Sequence, residues 1–154
     1  MKVFDLTKLT PEELVSQVQA CGFESSFPLR DRLGLISEYV DWVKLGKKDT
    51  TVRFRKGRVD IPQRFVLPLH PTTLDSLLES PQAGWVQLTQ LVVKRYSELS
   101  ARDATRDGFS TVQDLKSALF HIYGRIDPNQ LITIYTFRYF EQDGAASCAL
   151  WHSG

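Results

Sequence analysis

The first stripe of apolar residues at helical spacing consists of Leu14, Val18 and Cys21. It predicts a helix over residues 10–21 whose buried face carries these three side chains. Thr10 stands at the N-cap position and Glu13 follows three residues later, which is the pattern of a capping box. Gly22 comes directly after the stripe and is a suitable end for the helix.

Periodicity further along the chain predicts a mixture of helices and strands. Apolar residues at helical spacing indicate helices at 36–46, 74–79 and 112–123. Alternating or continuous apolar runs indicate strands at 33–36, 50–55, 65–69, 84–96 and 131–140. Helices and strands do not alternate regularly, which favours an α+β fold over a doubly wound sheet.

Two of the predicted strands indicate how the sheet is built. In the strand at 84–96 the apolar phase shifts between Leu88 and Leu91, as a β-bulge requires. The strand at 131–140 is apolar on both faces, so we expect it to be covered on both sides. A bulged strand and a doubly covered strand fit a small, partly closed β-barrel flanked by helices.

The composition is that of an ordinary globular protein. The 154 residues are 42% hydrophobic and 24% charged, with a net charge of +1. No apolar run is long enough to span a membrane, and the first residues lack the apolar core of a signal peptide. Because the two cysteines, Cys21 and Cys148, form no framework, we expect reduced thiols and a cytoplasmic location.

The positive charge is concentrated in one segment of the chain. Residues 44–58 contain seven basic side chains and a single acid, Asp49, so their net charge is +6 and the remainder carries −5. Such a concentration can bind phosphate although the whole protein is nearly neutral. The alternative interpretation is a solvated loop whose charges only confer solubility.

Common catalytic and cofactor motifs are absent from the sequence. His70, His121 and His152 are scattered, and no spacing of histidines, cysteines or acids matches a metal site. The sequence contains neither a phosphate-binding glycine loop nor a nucleophile-elbow motif. We therefore expect neither a metal nor a cofactor.

The segment Gly46-x-Lys48-x-x-Thr51-x-Arg53 places several functional groups close together. Gly46 permits a sharp turn after a helix, and Thr51 and Arg53 share one face of the strand that follows. Burial lowers the pKa of a lysine, and a lysine such as Lys48 can then activate a threonine hydroxyl as a nucleophile. Arginine can hold a phosphate, a carboxylate or a base edge. The alternative is an ordinary strand with exposed threonine and arginine.

The motif resembles the signature of ASCH domains, which has Gly, Lys, Glu and Arg at the same spacings. The resemblance extends over residues 33–140 and includes the helix and the strand that end the domain. It implies a PUA-like β-barrel in which helices flank a cleft, and an RNA- or nucleotide-binding function. Residues 1–32 are then expected to form an extra N-terminal helical extension packed on the domain, and residues 141–154 a C-terminal tail.

Thr51 replaces the usual glutamate of the ASCH signature, as it does in one bacterial branch, the N4-acetylcytidine amidohydrolases. In that branch the threonine is the proposed nucleophile, the motif lysine is the base, and a downstream glutamate completes the site. The resemblance implies these roles for Thr51 and Lys48. Asp107 lies near the place of the glutamate if one residue is inserted, and we expect it to orient Lys48. This chain is longer than that branch, and Asp is one methylene shorter than Glu.

Three functional hypotheses follow from these observations. The first is an RNA- or nucleotide-binding domain with a basic cleft, whose contacts come from Gly46, Lys47, Lys48, Arg53, Arg55 and Lys56. The second is a small amidohydrolase that acts on an N4-acylated cytidine nucleoside through Lys48, Thr51 and Asp107. The third is a non-catalytic protein-interaction domain that uses Trp42, Trp85 or the N-terminal helix.

Overall fold

The computed structural model describes residues 1–26, 32–72 and 82–141. The α-helices in these ranges are α1 (Pro11–Ala20), α2 (Ser37–Lys44), α3 (Ala101–Arg106) and α4 (Val112–Tyr123). The strands there are β1 (Lys2–Asp5), β2 (Ser25–Ser26), β3 (Leu33–Ile36), β4 (Thr50–Arg53), β5 (Val59–Asp60), β6 (Val66–Thr72), β7 (Trp85–Arg95) and β8 (Leu131–Phe140). The predicted helix at 74–79 and residues 142–154 of the predicted tail lie outside the described residues.

The helix α1 begins as its sequence predicts. Thr10 Oγ1 accepts a hydrogen bond from the Glu13 backbone N–H, and the Glu13 carboxylate accepts one from the Thr10 N–H, each at 3.1 Å. Leu14 and Val18 are fully buried in the main core. Cys21 was expected on the same buried face, but it is exposed, because the helix ends at Ala20 and the chain turns away.

The main sheet has the strand order β3-β6-β7-β8-β4, and β1 also pairs with β7. The long strand β7 pairs with β8 along its whole length, while β6 and β1 pair with its first and second halves. Only the β3–β6 pairing is parallel among these. The register of β7 against β8 shifts between Leu88 and Gln90, which confirms the predicted bulge.

The described strands do not close into a barrel, because β3 and β4 remain the two edges of the sheet path. A side chain bridges the gap between them: Arg53 Nη2 on β4 donates a hydrogen bond to the Gly34 carbonyl oxygen on β3 at 3.0 Å. The predicted α+β class is confirmed, and the predicted barrel is open at this gap.

Both faces of β8 are buried, as its composition predicts. Tyr135 and Phe137 point into the main core, which also contains apolar side chains of α1 and α2. Ile132 and Ile134 point the other way, into a second core formed with leucines of α4. This second core holds α4 beside β4 and β8, and so places the helix next to the gap between β3 and β4.

The N-terminal residues are joined to the rest of the fold. The strand β1 belongs to the main sheet, and α1 contributes to the main core. The division of the chain into residues 1–32, 33–140 and 141–154 stays a prediction. In the described part of the chain, no helix combines the length and the apolar character needed to cross a membrane.

Candidate ligand-binding site

A cavity of about 210 Å³ lies at the gap between β3 and β4. The helix α4 covers one side of it, and Tyr39 of α2 lines another. Polar groups enter this largely apolar lining from Lys48, Thr51, Arg53 and Asp107. An apolar cavity with a few convergent polar groups is the usual form of a small-ligand site.

Lys48 and Asp107 form a buried ion pair in the wall of the cavity. Lys48 Nζ donates to Asp107 Oδ1 at 2.5 Å and lies 3.4 Å from the Asp107 carbonyl oxygen. Only 2% of the Lys48 side chain and 6% of the Asp107 side chain are exposed. The turn that delivers Lys48 is fixed by the Trp42 carbonyl oxygen, which accepts backbone hydrogen bonds from both Lys47 and Lys48.

The burial of this pair changes the acidity of both groups. Loss of hydration lowers the pKa of Lys48, although the neighbouring Asp107 charge opposes this change. Burial likewise raises the pKa of Asp107, against the effect of the Lys48 charge. Each change favours the uncharged form, so the neutral amine that can accept a proton is more accessible at Lys48 than at an exposed lysine.

A second ion pair holds the two chain segments that carry Lys48 and Asp107. Arg106 donates from Nε and Nη2 to the two carboxylate oxygens of Asp49, at 3.2 and 2.9 Å. The Asp49 backbone N–H also donates to the Arg106 carbonyl oxygen at 3.0 Å. Because these residues directly adjoin Lys48 and Asp107 in the chain, the bidentate contact fixes the geometry of the buried pair. Thr50 Oγ1 adds a 3.3 Å hydrogen bond to Asp107 Oδ1.

Thr51 and Arg53 reach the cavity from the same face of β4. Thr51 is buried, and among the described residues its hydroxyl makes no hydrogen bond to Lys48. Arg53 uses Nη2 to bind the Gly34 carbonyl oxygen. Its Nε is buried and has no hydrogen-bond partner within the described ranges. A buried donor without an acceptor costs about 1–3 kcal/mol, so Arg53 is suited to receive an acceptor from a ligand.

Three aromatic side chains pack next to the ion pair. The ring centroid of Trp42 lies 4.8 Å from that of Tyr39 and 5.3 Å from that of Phe109. Tyr39 and Phe109 line the cavity, and Lys48 Nζ is 5.3 Å from the Tyr39 ring centroid. Gly108 allows this packing, because a Cβ atom there would stand 2.6 Å from Trp42 Cε3.

Comparison with known proteins supports one fold. No protein-family model matches the sequence, and no curated protein matches it. Solved structures do match: an ASCH domain from Lactobacillus crispatus JV V101 superposes with a TM-score of 0.54 at 17% identity, over 86% of this chain and 92% of that one. The chain adopts the fold of an ASCH domain.

Two further structures with this ASCH fold are similar to the chain. One is a protein from Enterococcus faecalis V583 with the family model DUF984, at 14% identity and a TM-score of 0.51, over 85% of this chain and 92% of that one. The other is ASCH from Zymomonas mobilis, at 17% identity and a TM-score of 0.50, over 73% of this chain and 68% of that one.

Within this ASCH fold, the residues predicted for the site separate into two groups. Those that line the cavity are Lys48, Thr51, Arg53 and Asp107. Those outside its lining are Gly46, Lys47, Arg55 and Lys56. Lys47 Nζ lies 4.2 Å from the Trp42 ring centroid, and Arg55 Nε donates to Asp60 at 3.3 Å. The basic segment at 44–58 therefore does not line a single cleft, and the binding roles of these four residues stay predictions.

Other residues at the ASCH-fold cavity were not identified from the sequence. Tyr39 belongs to the predicted helix, but periodicity alone does not say which element its ring meets. Phe109 follows the end of α3, and Thr50, which contacts Asp107 but lies outside the cavity lining, follows Asp49. No local pattern indicates the contacts of either residue. The pairing of Ser100 with Asp103 across a capping box is the signal that would have located α3.

Proposed function

We propose that the cavity binds a nucleotide, either free or as part of an RNA chain. The observation that carries this proposal is the buried Nε of Arg53, which has no hydrogen-bond partner among the described residues, in a cavity that Tyr39 and Phe109 also line. Nucleotides combine a flat apolar surface with oxygen acceptors, which is the chemistry that these three side chains accommodate. The resemblance of the motif to the ASCH signature supports the same ligand class.

The size and charge of the cavity favour one nucleotide at a time. Its volume of about 210 Å³ is below the usual range of roughly 300–1,000 Å³ for ligand pockets. Lys48 is already neutralised by Asp107, so Arg53 supplies the positive charge that remains in the lining. We therefore expect a confined anionic ligand rather than a duplex.

Arg53→Ala is expected to weaken nucleotide binding by about 5- to 140-fold, because an arginine contact to a base or phosphate contributes about 1–3 kcal/mol. Calorimetric titration with each of the four nucleoside monophosphates measures this loss. Arg53→Lys keeps the charge but removes Nε, so we expect it to bind almost as weakly.

Lys44→Ala serves as the matched control for the arginine variants. Lys44 is an exposed basic residue of the same segment and lies outside the cavity lining. We expect its affinity to equal that of the wild type. Equal affinities of Arg53→Ala and the wild type would remove the proposal.

The second candidate function is hydrolysis of an N4-acylated cytidine nucleoside. It is favoured by the contact of Lys48 with Asp107 in a cavity that Thr51 also lines. Thr51 Oγ1 would attack the acyl carbon while Lys48 takes its proton, and the C–N bond would break as Lys48 protonates the leaving amine. Water would then hydrolyse the acyl-threonine ester, releasing the carboxylic acid and restoring Thr51.

Incubation with N4-acetylcytidine, followed by chromatography, tests the hydrolase. We expect Thr51→Ala to lose deacetylation and Thr51→Ser to retain part of it, because serine keeps the nucleophilic hydroxyl. The rate is expected to rise with pH as Lys48 loses its proton, and its lowered pKa places this rise below the titration of an exposed lysine. No product from the wild type, or full activity of Thr51→Ala, would contradict this function.

A further inference from the structure

An open groove adjoins the cavity on the far side of Tyr123. Its lining consists of Phe54, Lys56, Tyr123, Arg125, Asp127 and Gln130. Tyr123 also lines the cavity, so one side chain separates the two sites. A ligand that extends from the cavity past Tyr123 therefore reaches this groove.

We propose that the groove binds the nucleotides adjacent to the one in the cavity, so that the ligand is single-stranded RNA rather than a free nucleotide. This inference rests on the proposed function. It assigns Lys56 and Arg125 to the phosphates and the aromatic pair to a neighbouring base. Lys56, which lies outside the cavity lining, would then contact the same ligand in the groove.

The charges of the groove suit a phosphate backbone. Lys56 and Arg125 are exposed and positive, and the acid among the lining residues is Asp127. Arg125 lies 3.4 Å from Asp127, but both side chains are largely exposed, so this ion pair is weak and a phosphate can compete for the arginine. Lys56 and Gln130 also line the next depression, whose charged residues are Lys56, Arg58 and the acid Glu24.

The aromatic side chains of the groove suit a base. The rings of Phe54 and Tyr123 meet edge to face, with centroids 6.0 Å apart, and both side chains are half-buried. Basic side chains that follow the backbone, together with aromatic rings for the bases, are the features of single-strand binding sites. A duplex is disfavoured, because a base must leave its stack before it can enter the cavity between β3 and β4.

Fluorescence anisotropy with labelled pentacytidylate, alongside calorimetry with cytidine monophosphate, tests the inference. We expect the double variant Lys56→Ala/Arg125→Ala to bind pentacytidylate about tenfold more weakly, with unchanged affinity for the monophosphate. The slope of log affinity against log salt should become shallower by about 1.4, since about 0.7 is lost for each phosphate contact to a single strand. Arg53→Ala should weaken both ligands, and Lys44→Ala neither.

The remaining outcomes overturn the inference in distinguishable ways. If the double variant binds pentacytidylate like the wild type, the groove is not used, while the nucleotide site stands. Equal binding of poly-glutamate and RNA by the wild type would show a general anion surface and contradict RNA recognition. If the wild type binds neither the monophosphate nor pentacytidylate, both this inference and the proposed function are wrong.

Discussion

Asp107→Asn is expected to lower the free energy of unfolding by about 3–5 kcal/mol, the usual cost of removing one partner from a buried ion pair. In this protein the remaining partner, Lys48, is only 2% exposed on its side chain. Its ammonium group would stay in the wall of the cavity without a counter-charge. Denaturant titration of wild type and variant at neutral pH measures the difference.

The pH dependence of this variant distinguishes a lost charge from a simple packing defect. Asp107 raises the pKa of Lys48 against burial, so removing its charge lowers the pKa of Lys48 further. The unfolded chain then binds this proton more tightly than the folded chain does. The stability of Asp107→Asn relative to the wild type should therefore rise as the pH increases from neutral towards the ordinary pKa of lysine.

Two control variants sharpen this test. Lys48→Met combined with Asp107→Leu removes both charges and should be more stable than Asp107→Asn, because no buried charge remains unpaired. Asp127→Asn breaks the exposed contact to Arg125 and should leave stability almost unchanged. A small loss in Asp107→Asn with no dependence on pH would show that the pair is not buried as described.

Gly108→Ala is expected to be the second strongly destabilising substitution, by about 2–5 kcal/mol. Two effects add. Gly108 has a φ of +96°, which costs a residue with a Cβ atom roughly 1–2 kcal/mol. The added methyl would also lie 2.6 Å from Trp42 Cε3, and overpacking of this kind costs about 1–3 kcal/mol.

Gly57→Ala separates these two effects. Gly57 also has a positive φ, +72°, but a Cβ atom there would meet nothing within 4 Å. We expect Gly57→Ala to lose only the roughly 1–2 kcal/mol that a positive φ costs a residue with a Cβ atom. Thermal unfolding of both variants measures how much stability each one loses. Equal losses would mean that the added methyl at Gly108 causes no measurable overpacking against the Trp42 ring.

Much of the fold follows from local patterns in the sequence. The capping box of α1, the bulge in β7 and the two apolar faces of β8 were each predictable, because they depend on residues close together in the chain. β1 and α3 were not predicted. β1 is only four residues long and becomes a strand through pairing with β7. The helix α3 is six residues long, too short for a periodic stripe.

The site residues that belong to the sequence motif were predictable. The alternation of β4 places Thr51 and Arg53 on one face, and the structure brings both to the cavity with Lys48. The opening between β3 and β4 depends on strand pairing across the whole chain, and no local pattern reports it. The sequence likewise did not indicate that Arg55 forms an ion pair with Asp60, because that contact depends on the position of β5.

A nucleotide in the cavity would supply the hydrogen-bond acceptor that Arg53 Nε lacks among the described residues. The most direct measurement is an NMR titration of nitrogen-labelled protein with a nucleoside monophosphate, following the arginine Nε–H signals. Absence of the signal from Arg53→Lys identifies the one that belongs to Arg53. We expect this signal to move most among the arginine signals as the nucleotide saturates the protein. A nucleotide that binds while the Arg53 signal stays in place, and only signals such as that of Arg125 move, would contradict it.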